Sequence, residues 1–240
     1  MKKLLYAMRH CETLFNVQHK SQGWCDSPIT PRGIKQCKLA GEELARRGVS
    51  FDHFYSSTSE RCCDTMELVC QSAFGEVKPY VRLKGLRECG FGIFEAKDDF
   101  CEPNFFPVQG VNVRSLVMKA AGGETDEEID ARIGDCLLQI MEDPNTKNVL
   151  LVSSGGVLRH FFMAHSDTSR VKGMPGNGNC MTYVYEWEDG VFSCAEVYTA
   201  DFSKIDCGGL DGSGIPNRWT INEDLLGQEI ARANGDAQSS

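Results

Sequence analysis

Leu4-Leu5-Tyr6-Ala7-Met8-Arg9-His10-Cys11-Glu12-Thr13-Leu14-Phe15-Asn16 stands at the start of this 240-residue chain. Its apolar run has the unbroken character of a strand buried on both faces, as at the centre of a parallel sheet. The run ends on an arginine beside a histidine. Open α/β sheets place their ligands beyond the carboxyl ends of the strands, so Arg9 and His10 stand where a ligand is expected. An imidazole can attack phosphorus, and a guanidinium can hold phosphoryl oxygens in a planar fork. Alone, the pair is a weak signal, and the rest of the chain must supply the missing parts.

Working outward, Asn148-Val149-Leu150-Leu151-Val152-Ser153 is the clearest strand. Ser154-Gly155-Gly156 follows it, and then a helix through Val157, Leu158, Phe161 and Phe162. Residues 51–56 and 81–83 read as short strands. Residues 181–187 and 191–197 form a hairpin about Asp189-Gly190. One helix starts at Thr30-Pro31 and stops at Gly48, with an apolar stripe of Ile34, Cys37, Leu44 and Ala45. Another runs from Ser59 to about residue 74. A third begins with a capping box, Thr125 and Glu128, carries Ile129, Ile133, Leu137 and Ile140, and ends at Asp143-Pro144. Residues 91–123 have no period and read as a long irregular wall or lid. Strands alternating with helices predict a three-layer α/β/α sandwich with a mostly parallel central sheet. The organisation expected is one domain over residues 1–200 and a C-terminal extension of uncertain order over 201–240. Within that extension, glycine-rich residues 208–214 lack the acidic ligands of a calcium loop and read as a linker.

The net charge of −9 argues against a nucleic-acid partner, whose backbone such a surface repels. Arg9 and His10 cut the first apolar stretch too short for a secretory core or a membrane span. The twelve cysteines are scattered, with no Cys-x-x-Cys unit and no zinc-ligand spacing. Free thiols in a reducing cytoplasm are the expectation.

Four pieces distant in sequence each lie just past a predicted strand: Arg9-His10, residues 56–61, Arg87-Glu88, and Ser153-Ser154-Gly155-Gly156. Brought to one sheet edge, they make a phosphoryl-transfer site. Arg9 and Arg61 would neutralise the dianion, His10 would attack, and Glu88 would protonate the departing oxygen. Amides of the helix starting near Gly155 would add donors toward the same anion. Arg61 sits at a helix N-terminus, an end that disfavours cations, which points to an anion nearby.

These segments resemble the histidine phosphatase superfamily, the phosphoglycerate mutase-like family. Its Arg-His-Gly-x-Thr-x-x-Asn opening is matched by Arg9-His10-Cys11-Glu12-Thr13-Leu14-Phe15-Asn16. Residues 23–33, 55–65 and 86–95, which carry Asp26, Arg61 and Glu88, match its next three segments. Gly122-Gly123-Glu124-Thr125 resembles the family's Gly-Gly-Glu-Ser, and Val152-Ser153-Ser154-Gly155-Gly156 its Val-Ser-His-Gly-Gly. The matches run in the family's order from residue 4 to about 200.

The resemblance implies a phosphatase that hydrolyses small phosphate monoesters through a phosphohistidine on His10, with no metal and no cofactor. Arg9 and Arg61 would bind the phosphate, Glu88 would give the proton, and Asn16, Gln22, Gly23 and Gly155 would line the site. Trp24 and Glu124 are further pocket residues by family position, and Arg87 and Arg159 read as structural or rim charges. The expected partner is a small phosphorylated metabolite, with neither nucleic acid nor membrane, and a homodimer is the assembly considered. The segment between Glu95 and Gly122 is shorter than in sugar-phosphate mutases, which tilts the reading toward a phosphatase. Mutase-type phosphotransfer and a non-catalytic phosphoester-binding relative are the alternatives.

Two departures stand out. Cys11 replaces a glycine beside the nucleophile, which matters if that turn needs positive φ. Ser154 replaces the second histidine, which in the family holds the phosphoryl group through the transition state. Losing such a donor raises the barrier by about 3–4 kcal/mol, roughly 10²–10³ in rate. His160 lies about 240° around its helix from Ser154 and points away, His165 lies at the far end, and His19 is a candidate for the site mouth. Ser154 reads as a substitution made to trap a ligand, as a natural weakening, or as the mark of a protein that only binds.

Overall fold

Side chains on the two central strands alternate between two cores, and that alternation builds the molecule. In β1 (Lys3–Arg9) and β4 (Asn148–Ser153), Leu5, Ala7, Val149 and Leu151 turn to one face. There they meet Ile129, Ile133 and Leu137 of α5 (Asp126–Glu142) and Val157, Leu158 and Phe161 of α6 (Gly155–Ala164). Tyr6, Met8, Leu150 and Val152 turn to the other face, against Cys37 and Leu44 of α2 (Pro31–Arg47) and Cys62, Met66 and Val69 of α3 (Glu60–Phe74). Burial on both faces is why these strands read as continuous apolar runs. The structure is a computed structural model that describes residues 2–98 and 113–205.

Among the described residues the sheet has seven strands in the order β3-β2-β4-β1-β6-β7-β5, the others being β2 (His53–Ser57), β3 (Val81–Leu83), β5 (Ser166–Asp167), β6 (Thr182–Glu188) and β7 (Val191–Tyr198). β1, β2, β3 and β4 pair in parallel, β6 runs antiparallel to β1 and β7, and β5 is parallel to β7. The fold is therefore the three-layer α/β/α sandwich with a mostly parallel sheet. Register then aligns the functional segments: Arg9 is opposite Ser153, Ser56 is opposite Val152, and Ser57 is opposite Leu83. The loops that follow these strands leave the sheet at one edge.

Helix ends follow their sequence signals. Thr30 accepts the Gly33 amide and Gly48 closes α2 in the left-handed region at φ 66°. The Thr125–Glu128 capping box opens α5. Four expectations need correction. Ile34 and Ala45 face solvent, because α2 buries Gly33, Gln36, Cys37, Ala40, Gly41 and Leu44 and the helix is rotated accordingly. β2 starts at His53, two residues late. The irregular stretch 91–123 contains a 3₁₀ turn, Gly92–Phe94, and a short helix, α4 (Val113–Ala120). The two-residue β5 was not foreseen. The remainder of the stretch, 99–112, and the extension beyond Ile205 lie outside the described residues. Among the described residues no helix is long and apolar enough to cross a membrane.

Candidate active site

The sheet edge carries a cleft of roughly 300 Å³ whose walls include Arg9, His10, Asn16, Gln22 and Glu88, all foreseen. It also includes Lys20, Ser21, Phe91, Asn177 and Asn179, which were not. The asparagines come from the loop before β6, and their only sequence signal was a Gly-Asn-Gly-Asn stretch (176–179) of the kind that makes turns.

His10 is the best-defined group. It follows β1 directly, its amide donates to the Ser153 carbonyl at 2.9 Å, and its ring is almost wholly buried. Nδ1 lies 2.7 Å from the Cys11 carbonyl oxygen. A carbonyl only accepts, so Nδ1 carries the proton and Nε2 keeps a free lone pair. Burial, with Arg61 and Arg9 adding positive charge nearby, holds the imidazole well below its usual range. The ring at neutral pH is an uncharged nucleophile of fixed tautomer.

Two guanidinium groups accompany it. Arg9 donates Nη1 to the Asn177 carbonyl, and burial lowers its pKa. Arg61, at the start of α3, is fully buried. Its Nη1 donates to the Cys25 carbonyl and Asp26 Oδ1, both at 2.9 Å, and its Nη2 to the Gln22 and Gly23 carbonyls at 3.2 and 2.9 Å. The anion inferred from Arg61's position on its helix is thus Asp26, whose other oxygen accepts the Glu60 amide at 2.6 Å and caps α3. In each arginine Nε is buried and has no hydrogen-bond partner among the described residues. Such orphaned donors are costly unless a ligand meets them.

Glu88 follows the 3₁₀ turn Lys84–Leu86. Its Oε1 accepts the amides of Cys89 and Val157 at 2.9 and 2.8 Å, and Oε2 accepts that of Gly156 at 2.9 Å. The α6 N-terminus, expected to face the ligand, holds this carboxylate instead. Each oxygen has two lone pairs, so one on Oε2 is left over. The Glu88 loop is clamped from behind. Arg132 meets Glu124 in a bidentate pair at 2.7 Å and donates to the Gly85, Arg87 and Glu88 carbonyls, while Trp24 Nε1 donates to Glu88 O at 3.1 Å. Glu124 and Trp24 therefore hold the loop from outside the cleft, and Arg87 stacks on Trp24 with its carbon 4.8 Å from the ring.

Other foreseen residues occupy different places. Gln22 accepts the Thr13 hydroxyl at 2.6 Å, and Asn16 caps the short helix α1 (Leu14–Val17) with Thr13. Gly23's amide goes to Glu95 at 3.1 Å, and a Cβ there would strike the Cys89 carbonyl. Gly155 lies under the Asn177 carboxamide. Ser154 is fully buried, its Oγ 3.3 Å from Arg61 Nη2 and 3.8 Å from Cys62 Sγ. His160 turns to Asp130 at 2.9 Å, His165 stacks on Phe161, and His19 is exposed and outside the cleft walls. Cys11 avoids positive φ and sits in the α2–α3 core, so it replaces glycine without strain.

Comparison with known proteins gives a consistent picture. A family model described as histidine phosphatase superfamily (branch 1) matches residues 5–199. The broad-specificity phosphatase YOR283W of Saccharomyces cerevisiae is 31% identical over 159 residues, 65% of this chain and 66% of that protein. The probable phosphoglycerate mutase GpmB of Salmonella choleraesuis is 32% identical over 158 residues, 63% and 69% of the two chains. The match thus spans about two thirds of these relatives' length. Among solved structures, the phosphoglycerate mutase of Bacillus anthracis str. Sterne superposes with a TM-score of 0.68 at 25% identity, over 84% of this chain and 94% of that one.

Proposed function

This chain belongs to the histidine phosphatase superfamily, and from that membership we infer that its cleft hydrolyses small phosphate monoesters by way of a phosphohistidine on His10. The observation that carries the reading is an uncharged His10, Nδ1 pinned, accompanied by two buried guanidinium groups whose Nε donors lack partners among the described residues. An incoming phosphate dianion would satisfy both donors and meet the Nε2 lone pair.

In the first step Nε2 bonds to phosphorus, the ester P–O bond breaks, and the departing oxygen takes a proton from Glu88, loaded on the lone pair of Oε2 that the amides leave over. In the second, water gives a proton back to Glu88 and attacks phosphorus. The P–N bond breaks and inorganic phosphate leaves. Arg9 and Arg61 neutralise charge in both steps. No step calls for a metal or a cofactor. The cleft's small volume and polar walls suit a small phosphorylated metabolite. Ten unpaired thiols among the described cysteines suit a reducing cytoplasm.

Incubation with a labelled alkyl phosphate followed by alkaline quench tests this directly. Acid-labile, base-stable label is expected on the wild-type protein, with release of inorganic phosphate, and none on His10→Ala. Label on another residue, or turnover surviving in His10→Ala, would refute the assignment. Phosphate delivered to a second alcohol in preference to water would make the protein a mutase.

A further inference from the structure

The place where the family carries its second histidine is filled here by Ser154, whose hydroxyl is uncharged, fully buried and engaged with Arg61 Nη2 at 3.3 Å. Yet His10, Arg9, Arg61 and Glu88 are all present and assembled. A site so complete calls for a substitute donor, and the described residues offer one within the same cleft.

Asn177 belongs to the loop that leads into β6, 22 residues beyond Gly155. Its main-chain carbonyl accepts from Arg9 Nη1, which ties the loop to the phosphate-binding arginine. Its side chain lies over the first residue of α6. A Cβ built on Gly155 would collide with the Asn177 carboxamide oxygen and stand 2.9 Å from Arg9 Nε, the orphaned donor. The carboxamide oxygen therefore lies against Gly155, the residue after Ser154, where Arg9 Nε also comes close, and Asn177 shares the cleft wall with His10 and Glu88. Only a glycine at 155 leaves room for it. A carboxamide has two N–H donors and no titratable proton, so it can stabilise phosphoryl oxygens at any pH.

We propose that Asn177 is a catalytic residue of this protein, its side-chain amide donating to the transferring phosphoryl group in place of the imidazole that Ser154 lacks. The proposal rests on the phosphohistidine reading above. Its signature is redundancy, since a donor that stands in for an imidazole matters little once the imidazole is restored.

The test is a double-mutant cycle on turnover of an alkyl phosphate, with orthovanadate and inorganic phosphate as inhibitors. Asn177→Ala keeps the main-chain bond to Arg9 and is expected to lower kcat by about 10²-fold. The isosteric Asn177→Asp, which puts a negative charge where the donor stood, should fall further. Ser154→His should raise kcat of the Asn177→Ala protein by about 10²-fold, but raise that of the wild type several-fold at most. Asn177→Ala should weaken vanadate, which mimics the transferring group, by the same factor as kcat, and weaken phosphate little. Additive effects across the cycle, equal loss of vanadate and phosphate, or an active Asn177→Ala protein would each overturn the proposal while leaving the phosphohistidine intact. A wild-type protein that takes no label on His10 would remove both readings together, so the two failures are distinguishable.

Discussion

Glu88→Gln separates two jobs that the structure lays on one carboxylate. Three amides, those of Cys89, Gly156 and Val157, donate to it at 2.8–2.9 Å. Glutamine keeps an oxygen for two of them, but its NH₂ group faces the third as donor against donor. Bonds to a charged acceptor contribute about 1.5–3 kcal/mol and neutral ones about 0.5–1.5. One bond lost and two weakened by about 1–1.5 each come to roughly 3.5–6 kcal/mol of stability, read as a lower urea midpoint at constant m-value. The chemical job appears in the leaving group. An alkoxide must be protonated as it departs, whereas p-nitrophenolate leaves without help. General acid catalysis contributes about 10²–10⁴-fold. Phosphohistidine formation, followed by rapid quench, should therefore slow by that factor for an alkyl phosphate and by less than about tenfold for p-nitrophenyl phosphate. Equal slowing with both esters would refute the proton-donor role and leave Glu88 as a helix cap alone.

Arg132→Leu removes the clamp on the 85–88 carbonyls without entering the cleft. It should lower kcat for alkyl phosphates by about tenfold with KM little changed, since a misplaced acid loses transition-state interactions only; a raised KM at constant kcat would contradict this. His10 is held well below its usual range by burial and by Arg61 and Arg9, so its pKa is lower folded than unfolded. As pH falls through the unfolded value, about 6.5, only the unfolded chain takes up the proton, and stability drops by up to about 1.4 kcal/mol per pH unit. His10→Gln should lack that component in urea titrations between pH 7 and 5, and identical slopes would exclude it. Cys11, despite its place beside His10, is fully buried, and contact with Cys37 together with burial pushes its thiol up. Iodoacetamide at pH 8 should leave it unmodified in the native protein while, among the described cysteines, the half-buried Cys25 and Cys136 react first, as mass spectrometry would read.

The layers of this fold, and the edge of the sheet at which chemistry would gather, could be read before any coordinates. Runs such as Val149-Leu150-Leu151-Val152 announce strands covered on both faces, and arginine, histidine and glutamate past three strand ends announce where they meet. Short-range physics writes those signals along the chain: periodicity, capping hydroxyls and turn glycines act over a few residues. The rotation of α2, which turns Ile34 outward, depends on what packs against it and carries no local mark. Likewise Asp26 as Arg61's partner, the seating of Glu88 on the α6 amides, and the arrival of Asn177 at Gly155 join segments 35, 68 and 22 residues apart. Contacts across such separations are settled by register and loop closure, which exist only once the sheet has formed.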